Sequence, residues 1–82
     1  MSMKVISLCE CEKNKEYVVQ KVEEESVGVS RRLSELGFYA GAKVRVSCFS
    51  ALKKTILVEL EGYTLSLRSS IANGIKVLEA KT

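Results

Sequence analysis

The sequence contains no histidine, no aspartate and no proline. Without histidine and aspartate, the usual general bases and metal ligands are reduced to glutamate and cysteine. The five glycines are scattered and form no phosphate-binding loop. No apolar run is long enough to cross a bilayer, and the N-terminus lacks the apolar segment of a secretory signal. These absences argue against an enzyme and favour a cytoplasmic binding protein without direct membrane insertion.

The charges are close to balanced, with 13 lysines and arginines against 10 acidic residues and a net charge of +3. The basic residues are spread along the chain, whereas a nucleic-acid-binding domain usually concentrates them in one stripe. We interpret both signs as a solvated surface and expect no nucleic-acid partner. The acidic residues are all glutamates and cluster at Glu10, Glu12 and Glu16 and again at Glu23, Glu24 and Glu25.

The three cysteines, Cys9, Cys11 and Cys48, form an odd set that fits free thiols in a reducing compartment better than a disulfide framework. Together they could offer three sulfur ligands to a soft metal. However, no C-x-x-C pair is present, and Cys48 is predicted on the core face of a strand. Buried free cysteine commonly behaves as a small hydrophobe. We therefore expect neither a metal site nor a cofactor.

One segment of the chain has helical periodicity. Val29, Leu33 and Leu36 recur at i, i+4 and i+7, which predicts a helix over residues 29–36. Gly37 directly follows the last apolar residue and is well placed as a left-handed cap. Because two turns are too short to be stable alone, we expect this helix to pack on a sheet.

Alternating apolar and polar residues predict strands in the second half of the chain. In the first of these strands, Val44, Val46 and Cys48 share the inward face. A two-residue turn at Glu61 and Gly62 joins the next two strands as a hairpin. The predicted strands cover 43–48, 55–61, 63–68 and, after a short connection, 75–78.

The N-terminal third has a less regular pattern. A turn is predicted at Asn14, because asparagine tolerates positive φ. The segment 17–22 is rich in β-branched and aromatic residues, which favours a strand. Its buried face stays open, since Tyr17 with Val19 competes with Val18 and Val22. In total, five strands and one helix predict a mainly β fold, a small closed barrel with one short inserted α-helix.

Two segments resemble the signatures of the FeoA (ferrous iron transport protein A) family. Residues 32–44, RLSELGFYAGAKV, resemble the family pattern R-L-x-x-L-G-hydrophobic-x-P-G-x-x-V. Residues 63–68, YTLSLR, followed by residues 72–77, ANGIKV, resemble a second pattern in which a strand ending L-x-L-R precedes A-x-x-I-x-V. The resemblance extends over about residues 5 to 80.

The resemblance implies a single FeoA-like domain over residues 1–82 and an SH3-like β-barrel of about five strands. It further implies a cytoplasmic accessory protein of ferrous iron transport. The expected partner is the cytoplasmic part of FeoB, the membrane ferrous iron permease, whose assembly or activity the protein would modulate by binding. A weak homo-oligomer stays open as an alternative state.

The sequence departs from the family pattern at turn and packing positions. Ala40 stands where the family usually has proline, so the ring that would fix φ in this turn is missing. Asn14 replaces a usual glycine, and Cys11 replaces a usual aliphatic residue. None of these changes removes a chemical group that a known activity of the family needs.

Partner binding is predicted around the helix and a neighbouring loop. Exposed aromatic and arginine side chains are typical interface anchors, and Leu52 lies in the 49–54 loop beside two lysines. Leu33 is expected mainly in the core, with a contribution at the edge of the surface. The candidate partner-binding residues are Arg31, Arg32, Leu33, Glu35, Phe38, Tyr39 and Leu52.

The alternative function is a metal-responsive or nucleic-acid-binding SH3-like module, as in the C-terminal domains of iron-dependent regulators. Small barrels that bind single strands place exposed aromatic residues between basic ones. Here Arg31, Arg32 and Lys43 flank Phe38 and Tyr39 in the sequence. This single basic cluster makes protein binding the preferred prediction.

Overall fold

The computed structural model describes residues 4–80 and contains six strands and two α-helices. The strands are β1 (Ile6–Ser7), β2 (Glu16–Val22), β3 (Lys43–Phe49), β4 (Thr55–Leu60), β5 (Tyr63–Arg68) and β6 (Ile75–Glu79). The helices are α1 (Val27–Leu36) and α2 (Ser69–Ala72), and a 3₁₀ turn covers Leu8–Glu10. The strands form one antiparallel sheet in the order β1-β6-β2-β3-β4-β5. The mainly β fold with a short inserted helix is confirmed, and β1 is a strand that periodicity did not predict. The sheet is not fully closed, because among residues 4–80 no ladder joins β1 to β5, and these two strands are its edges.

One face of this sheet forms the core. Leu33 from α1 and Phe38 from the turn after it pack against this face, at 3% and 1% exposure. Each fully buried side chain of this size contributes about 1.5–3 kcal/mol relative to an exposed one. The inward strand residues that are at most 2% exposed are Val19, Val44, Val46, Ile56, Val58, Ile75 and Val77.

A β-bulge in β2 settles which face of that strand is buried. Tyr17 and Val19 point into the core before the bulge. The register then shifts between Val19 and Lys21, and the extra residue exchanges the two faces of the strand. Val22 consequently packs against the core as well. Each of the two competing sequence patterns therefore describes one half of β2.

A second bulge corrects the prediction for Cys48. The register of β3 shifts between Val46, opposite Val58, and Cys48, opposite Leu57. Ser47 is the extra residue, so Cys48 turns outward and is exposed. Phe49 takes the inward position and extends the strand one residue beyond its predicted end. The prediction that Cys48 lies on the core face is therefore wrong.

Helix α1 begins two residues earlier than predicted. The hydroxyl of Ser26 accepts a hydrogen bond from the Val29 N–H at 3.3 Å, which caps the helix at this earlier residue. The predicted C-terminal cap is confirmed, because Gly37 adopts a left-handed φ of 117°. Leu33 is fully buried, and Leu36 packs against the core in part, as the helical stripe predicts.

The N-terminal segment makes two reversals before β2. Ser7 donates its backbone N–H to a carboxylate oxygen of Glu10 at 2.9 Å across the 3₁₀ turn, and this bond lowers the pKa of Glu10. The predicted turn at Asn14 is confirmed, with a left-handed φ of 65°. The N–H of Asn14 donates to the carbonyl of Val46 at 2.8 Å, which fixes this turn against β3.

The chain leaves β2 at a close backbone contact with the turn before β6. The N–H of Glu23 donates to the Gly74 carbonyl at 2.6 Å. A Cβ atom on Gly74 would overlap the Glu23 carbonyl oxygen, whereas a Cβ on Gly28, in the exposed first turn of α1, would meet only the Ser26 hydroxyl at 3.9 Å. Glycine is therefore required at residue 74 and not at residue 28.

We expect the same substitution at these two glycines to have opposite effects. Gly74→Ala forces the two backbones apart and lowers the free energy of unfolding by about 2 kcal/mol or more. Gly28→Ala raises it by about 0.5 kcal/mol, because alanine loses less backbone entropy in a helix. Urea unfolding of both variants checks this, and an equal effect of the two substitutions would contradict the contact.

The three thiols have different surroundings. Cys11 is buried, and this burial, with smaller contributions from Cys9 and Glu10, raises its pKa to about 12. Burial also raises the pKa of the half-buried Cys9, whose thiol donates to the Ser69 carbonyl at 3.3 Å. Cys48 lies on the exposed outer face of β3. Because the thiolate is the reactive form, burial and the raised pKa both slow the reaction of Cys11.

We expect alkylation of the native protein to modify Cys48 first and Cys11 last. The rate at Cys48 should exceed that at Cys11 by roughly a hundredfold, because Cys11 is both covered and protonated. Mass spectrometry of a maleimide time course measures the order. In denaturant the three rates should converge, and native labelling of Cys48 as slow as that of Cys11 would contradict the bulge at Ser47.

Cys11 also predicts a pH dependence of stability. Its pKa is raised from 9.0 to about 12 on folding, so the folded state holds the proton more tightly. The corresponding stability is fully present below pH 9 and is lost as pH rises toward 12. We expect the free energy of unfolding to fall less steeply with pH over this range in Cys11→Val, because valine carries no titratable group. Urea unfolding of both proteins between about pH 8 and about pH 11 checks this.

Candidate functional site

An open groove of about 710 Å³ lies between the end of α1 and one end of the sheet. Its walls come from the C-terminal turn of α1, the turn over 37–42, the start of β3 and the β4–β5 hairpin. The side chains that give it chemical character are Glu35, Tyr39, Lys43, Arg45, Glu61 and Tyr63.

The turn over 37–42 is held from both sides. On the helix side, the N–H of Phe38 donates to the Leu33 carbonyl at 2.9 Å. On the sheet side, the N–H of Gly41 donates to the Val19 carbonyl and the N–H of Val19 donates to the Ala42 carbonyl, both at 2.8 Å. These bonds fix the turn even though Ala40 replaces the usual proline.

Tyr63 covers the end of the helix. It is the first residue after the two-residue hairpin turn, where Gly62 adopts a φ of 90°. A Cβ atom on Gly37 would lie 3.3 Å from the Tyr63 hydroxyl oxygen and 3.6 Å from the Leu60 side chain. The missing side chain at Gly37 therefore leaves room for the tyrosine to lie close over the helix end.

Two aromatic side chains of the groove remain accessible. Tyr39 is 53% exposed and Tyr63 is 45% exposed. Tyrosine combines a large apolar surface with a polar end and loses little conformational entropy when it is bound, which suits it to protein interfaces.

The charges of the groove are of both signs. Glu59 accepts a hydrogen bond from the Ser47 hydroxyl at 2.6 Å and lies 4.0 Å from the Arg45 guanidinium. Within residues 4–80, no salt bridge engages Glu35, Glu61 or Lys43. The groove can thus offer both an anionic and a cationic contact to a partner.

The structure separates the predicted partner-binding residues into four groups, three of which lie at the surface. Glu35 and Tyr39 line the groove. Arg31 and Arg32 are exposed on α1 outside the groove lining. Leu52 is 75% exposed in the loop that precedes β4, at the opposite end of that strand from the groove.

The other two predicted residues, Leu33 and Phe38, lie in the core, as the sequence already indicates for Leu33. Leu33 is 3% exposed because it lies on the apolar stripe of α1 that faces the sheet. Phe38 is 1% exposed because the left-handed Gly37 reverses the chain and directs the next side chain under the helix. Neither side chain presents a surface to a partner in this structure.

The lining residues that the sequence-based set lacks include Lys43, Arg45, Glu61 and Tyr63. The alternation of β3 does predict Lys43 and Arg45 on its outer face, and the hairpin turn predicts the position of Tyr63. What brings them beside Tyr39 is the long-range packing of the hairpin on the helix end, which no local pattern contains.

Within the described residues, the cysteines and glutamates do not assemble into a metal site. Among residues 4–80, no group of three or more histidine, cysteine, aspartate or glutamate side chains could hold a metal ion. The bulge at Ser47 exposes Cys48 on the outer face, while Cys11 is buried. Within the same residues, no helix is long and apolar enough to cross a membrane.

Solved structures include relatives over most of this chain. FeoA from Chlorobium tepidum is 33% identical, with 93% of this chain and 71% of that chain covered and a TM-score of 0.85. FeoA from Stenotrophomonas maltophilia, solved with zinc and described as a prokaryotic SH3 domain protein, is 29% identical, with 88% of each chain covered and a TM-score of 0.76. The fold of this chain is thus the SH3-like fold of FeoA.

A manganese-dependent transcriptional repressor has the same fold at 19% identity. The match covers 98% of this chain but 44% of the repressor, with a TM-score of 0.85. At this identity the likeness concerns the fold alone. No curated protein matches the chain.

The family comparison covers nearly the whole described chain. The FeoA domain family matches residues 6–79, which include both sequence signatures, the helix and the groove. The family comprises non-enzymatic accessory domains associated with ferrous iron transport. This chain belongs to the FeoA domain family.

Proposed function

We propose that the protein is a cytoplasmic accessory protein of ferrous iron transport that binds the cytoplasmic part of the FeoB permease through the groove. Membership of the FeoA family supports the transport context. The observation that carries the choice of surface is the accessible pair Tyr39 and Tyr63 on either side of the helix end.

The groove has the composition of a protein-binding surface. Binding energy in such surfaces is concentrated in a few aromatic and arginine side chains surrounded by polar residues. Here two tyrosines lie among Glu35, Lys43 and Glu61, which can pair with charges of the partner. A partner segment that covers the tyrosines would bury their rings while the rim charges set its orientation.

Binding itself is the mechanism by which the protein acts. A domain that binds one conformation of the permease more tightly than another shifts the permease toward that conformation. This requires no chemical step on the FeoA side. The well-held turn over 37–42 keeps Tyr39 oriented before binding, which reduces the entropic cost of association.

The second candidate, a metal-responsive or nucleic-acid-binding module, is supported by the fold likeness to the manganese-dependent repressor. It would be favoured over permease binding by a DNA mobility shift or by a metal titration with saturable affinity, together with no binding to the permease.

We expect Tyr39→Ala to weaken binding to the cytoplasmic part of FeoB by about tenfold or more, because an exposed aromatic anchor is lost. Titration calorimetry with the purified cytoplasmic part, with and without guanine nucleotide and ferrous iron, measures the affinity. Since Tyr39 is 53% exposed, the substitution should leave the unfolding free energy nearly unchanged.

Leu52→Ala is the matched control, because Leu52 is also a large exposed apolar residue but lies away from the groove. It should change the affinity by less than about twofold. No binding by the wild-type protein under any nucleotide or iron condition would overturn the proposal. Loss on Leu52→Ala and not on Tyr39→Ala would assign the partner to the other end of β4.

A further inference from the structure

Strand β5 is a sheet edge without the usual protection against pairing. It lies at the end of the sheet and pairs with β4 in unbroken register from Tyr63 to Arg68. The opposite edge strand, β1, is only two residues long. Protected edges are short, bulged, or carry proline or several charges, whereas β5 has no bulge, no proline and one charged residue at its end.

The hairpin determines which backbone groups of β5 point outward. A two-residue turn makes Leu60 and Tyr63 a hydrogen-bonded pair, and such pairs then alternate along the ladder. The N–H of Ser69 donates to the Lys54 carbonyl at 2.8 Å. This bond shows that the same alternation of hydrogen-bonded pairs continues to the C-terminal end of β5. The N–H and C=O groups of Thr64 and Ser66 therefore point away from β4.

These outward groups are accessible in the described part of the chain. Thr64 and Ser66 have exposed side chains. Among residues 4–80, no hydrogen bond outside the β4–β5 ladder engages their backbone groups. Leu65, between them, faces the core side and is only partly buried. The edge thus offers two backbone N–H donors, two backbone C=O acceptors and the partly exposed side chain of Leu65.

The charges at the two ends of β5 are opposite. Glu61 lies in the turn that precedes the strand, and Arg68 ends it. The Arg68 end is next to Lys53 and Lys54, whose carbonyls accept hydrogen bonds from Ser69. A strand with this polarity is complementary to an antiparallel copy of itself, because each acidic end then lies beside a basic end.

We propose that two copies of the protein associate by antiparallel pairing of their β5 edges across a two-fold axis at Leu65. Thr64 of each copy then lies opposite Ser66 of the other, and their outward groups form four N–H···O=C bonds. Leu65 lies opposite its own symmetry mate on the core side, and Glu61 comes near Arg68 of the second copy. The opposite charges at the two ends of β5 favour a second copy of this chain as the strand that pairs with it.

The proposed dimer is weak. Pairing over residues 63–67 buries far less area than the roughly 1,200–2,000 Å² of stable interfaces, so the dimer should form in the upper micromolar to millimolar range. The inference goes beyond the binding of a permease, and its test needs only this chain. Failure of one proposal would not affect the other.

Sedimentation equilibrium of the full chain, from micromolar to millimolar concentration, tests the pairing. Arg68→Glu should weaken the dimer by about tenfold or more, because the symmetry turns two attractions into two repulsions. Glu61→Arg should do the same, and the double variant Glu61→Arg with Arg68→Glu should recover the wild-type constant. Glu25→Arg, an exposed charge reversal outside β5, is the matched control. It should change the dimer dissociation constant only by the small amount that its altered net charge causes.

A backbone readout tests the same pairing independently of charge. The amide protons of Thr64 and Ser66 should exchange more slowly with solvent as protein concentration rises, while those of the Leu52 loop should not change. Ser66→Pro removes an outward donor without removing a bond to β4 and should abolish the dimer; an NMR spectrum with native dispersion checks its fold. A monomer at millimolar concentration, or single reversals that the double variant does not rescue, would overturn the proposal.

Discussion

The left-handed backbone of Gly37 is the constraint on which the helix, the core and the groove all depend. Its positive φ ends α1 and reverses the chain, so that Phe38 enters the core directly beneath the helix. The absence of a Cβ at the same residue leaves space for Tyr63 above the helix end. A side chain there would strain the backbone and crowd the Tyr63 hydroxyl, so one residue couples the fold to the groove.

The local parts of this architecture follow from the sequence, and the parts that depend on a paired strand do not. Gly37 as a cap, the turn at Asn14 and the hairpin at Gly62 are specified by residues adjacent in the chain, and all are present. The bulges in β2 and β3 arise when a strand is fitted to its neighbours. Strict alternation therefore assigned Cys48 to the wrong face, although it assigned Val44 and Val46 correctly.

The candidate site likewise has parts that follow from local sequence and parts that depend on long-range packing. The signature 32–44 and the exposed position of Tyr39 can be read from the chain, because they belong to one continuous segment. The contribution of Tyr63 depends on its proximity to Gly37, which lies far from it in the chain. Arginines on α1 looked equivalent to groove residues in the sequence, but the direction of the helix places them outside the lining.

The two walls of the groove differ in their resistance to local opening. Strands β3, β4 and β5 are hydrogen-bonded side by side, with one bulge at Ser47, whereas α1 has a single fully buried side chain, Leu33, beside the partly buried Val29 and Leu36. A ten-residue helix has little stability of its own, so α1 should be among the first elements to detach in subglobal fluctuations. The sheet wall of the groove thus resists deformation, while the wall formed by α1 can move. Movement of the helix alone can therefore accommodate ligand segments of different widths.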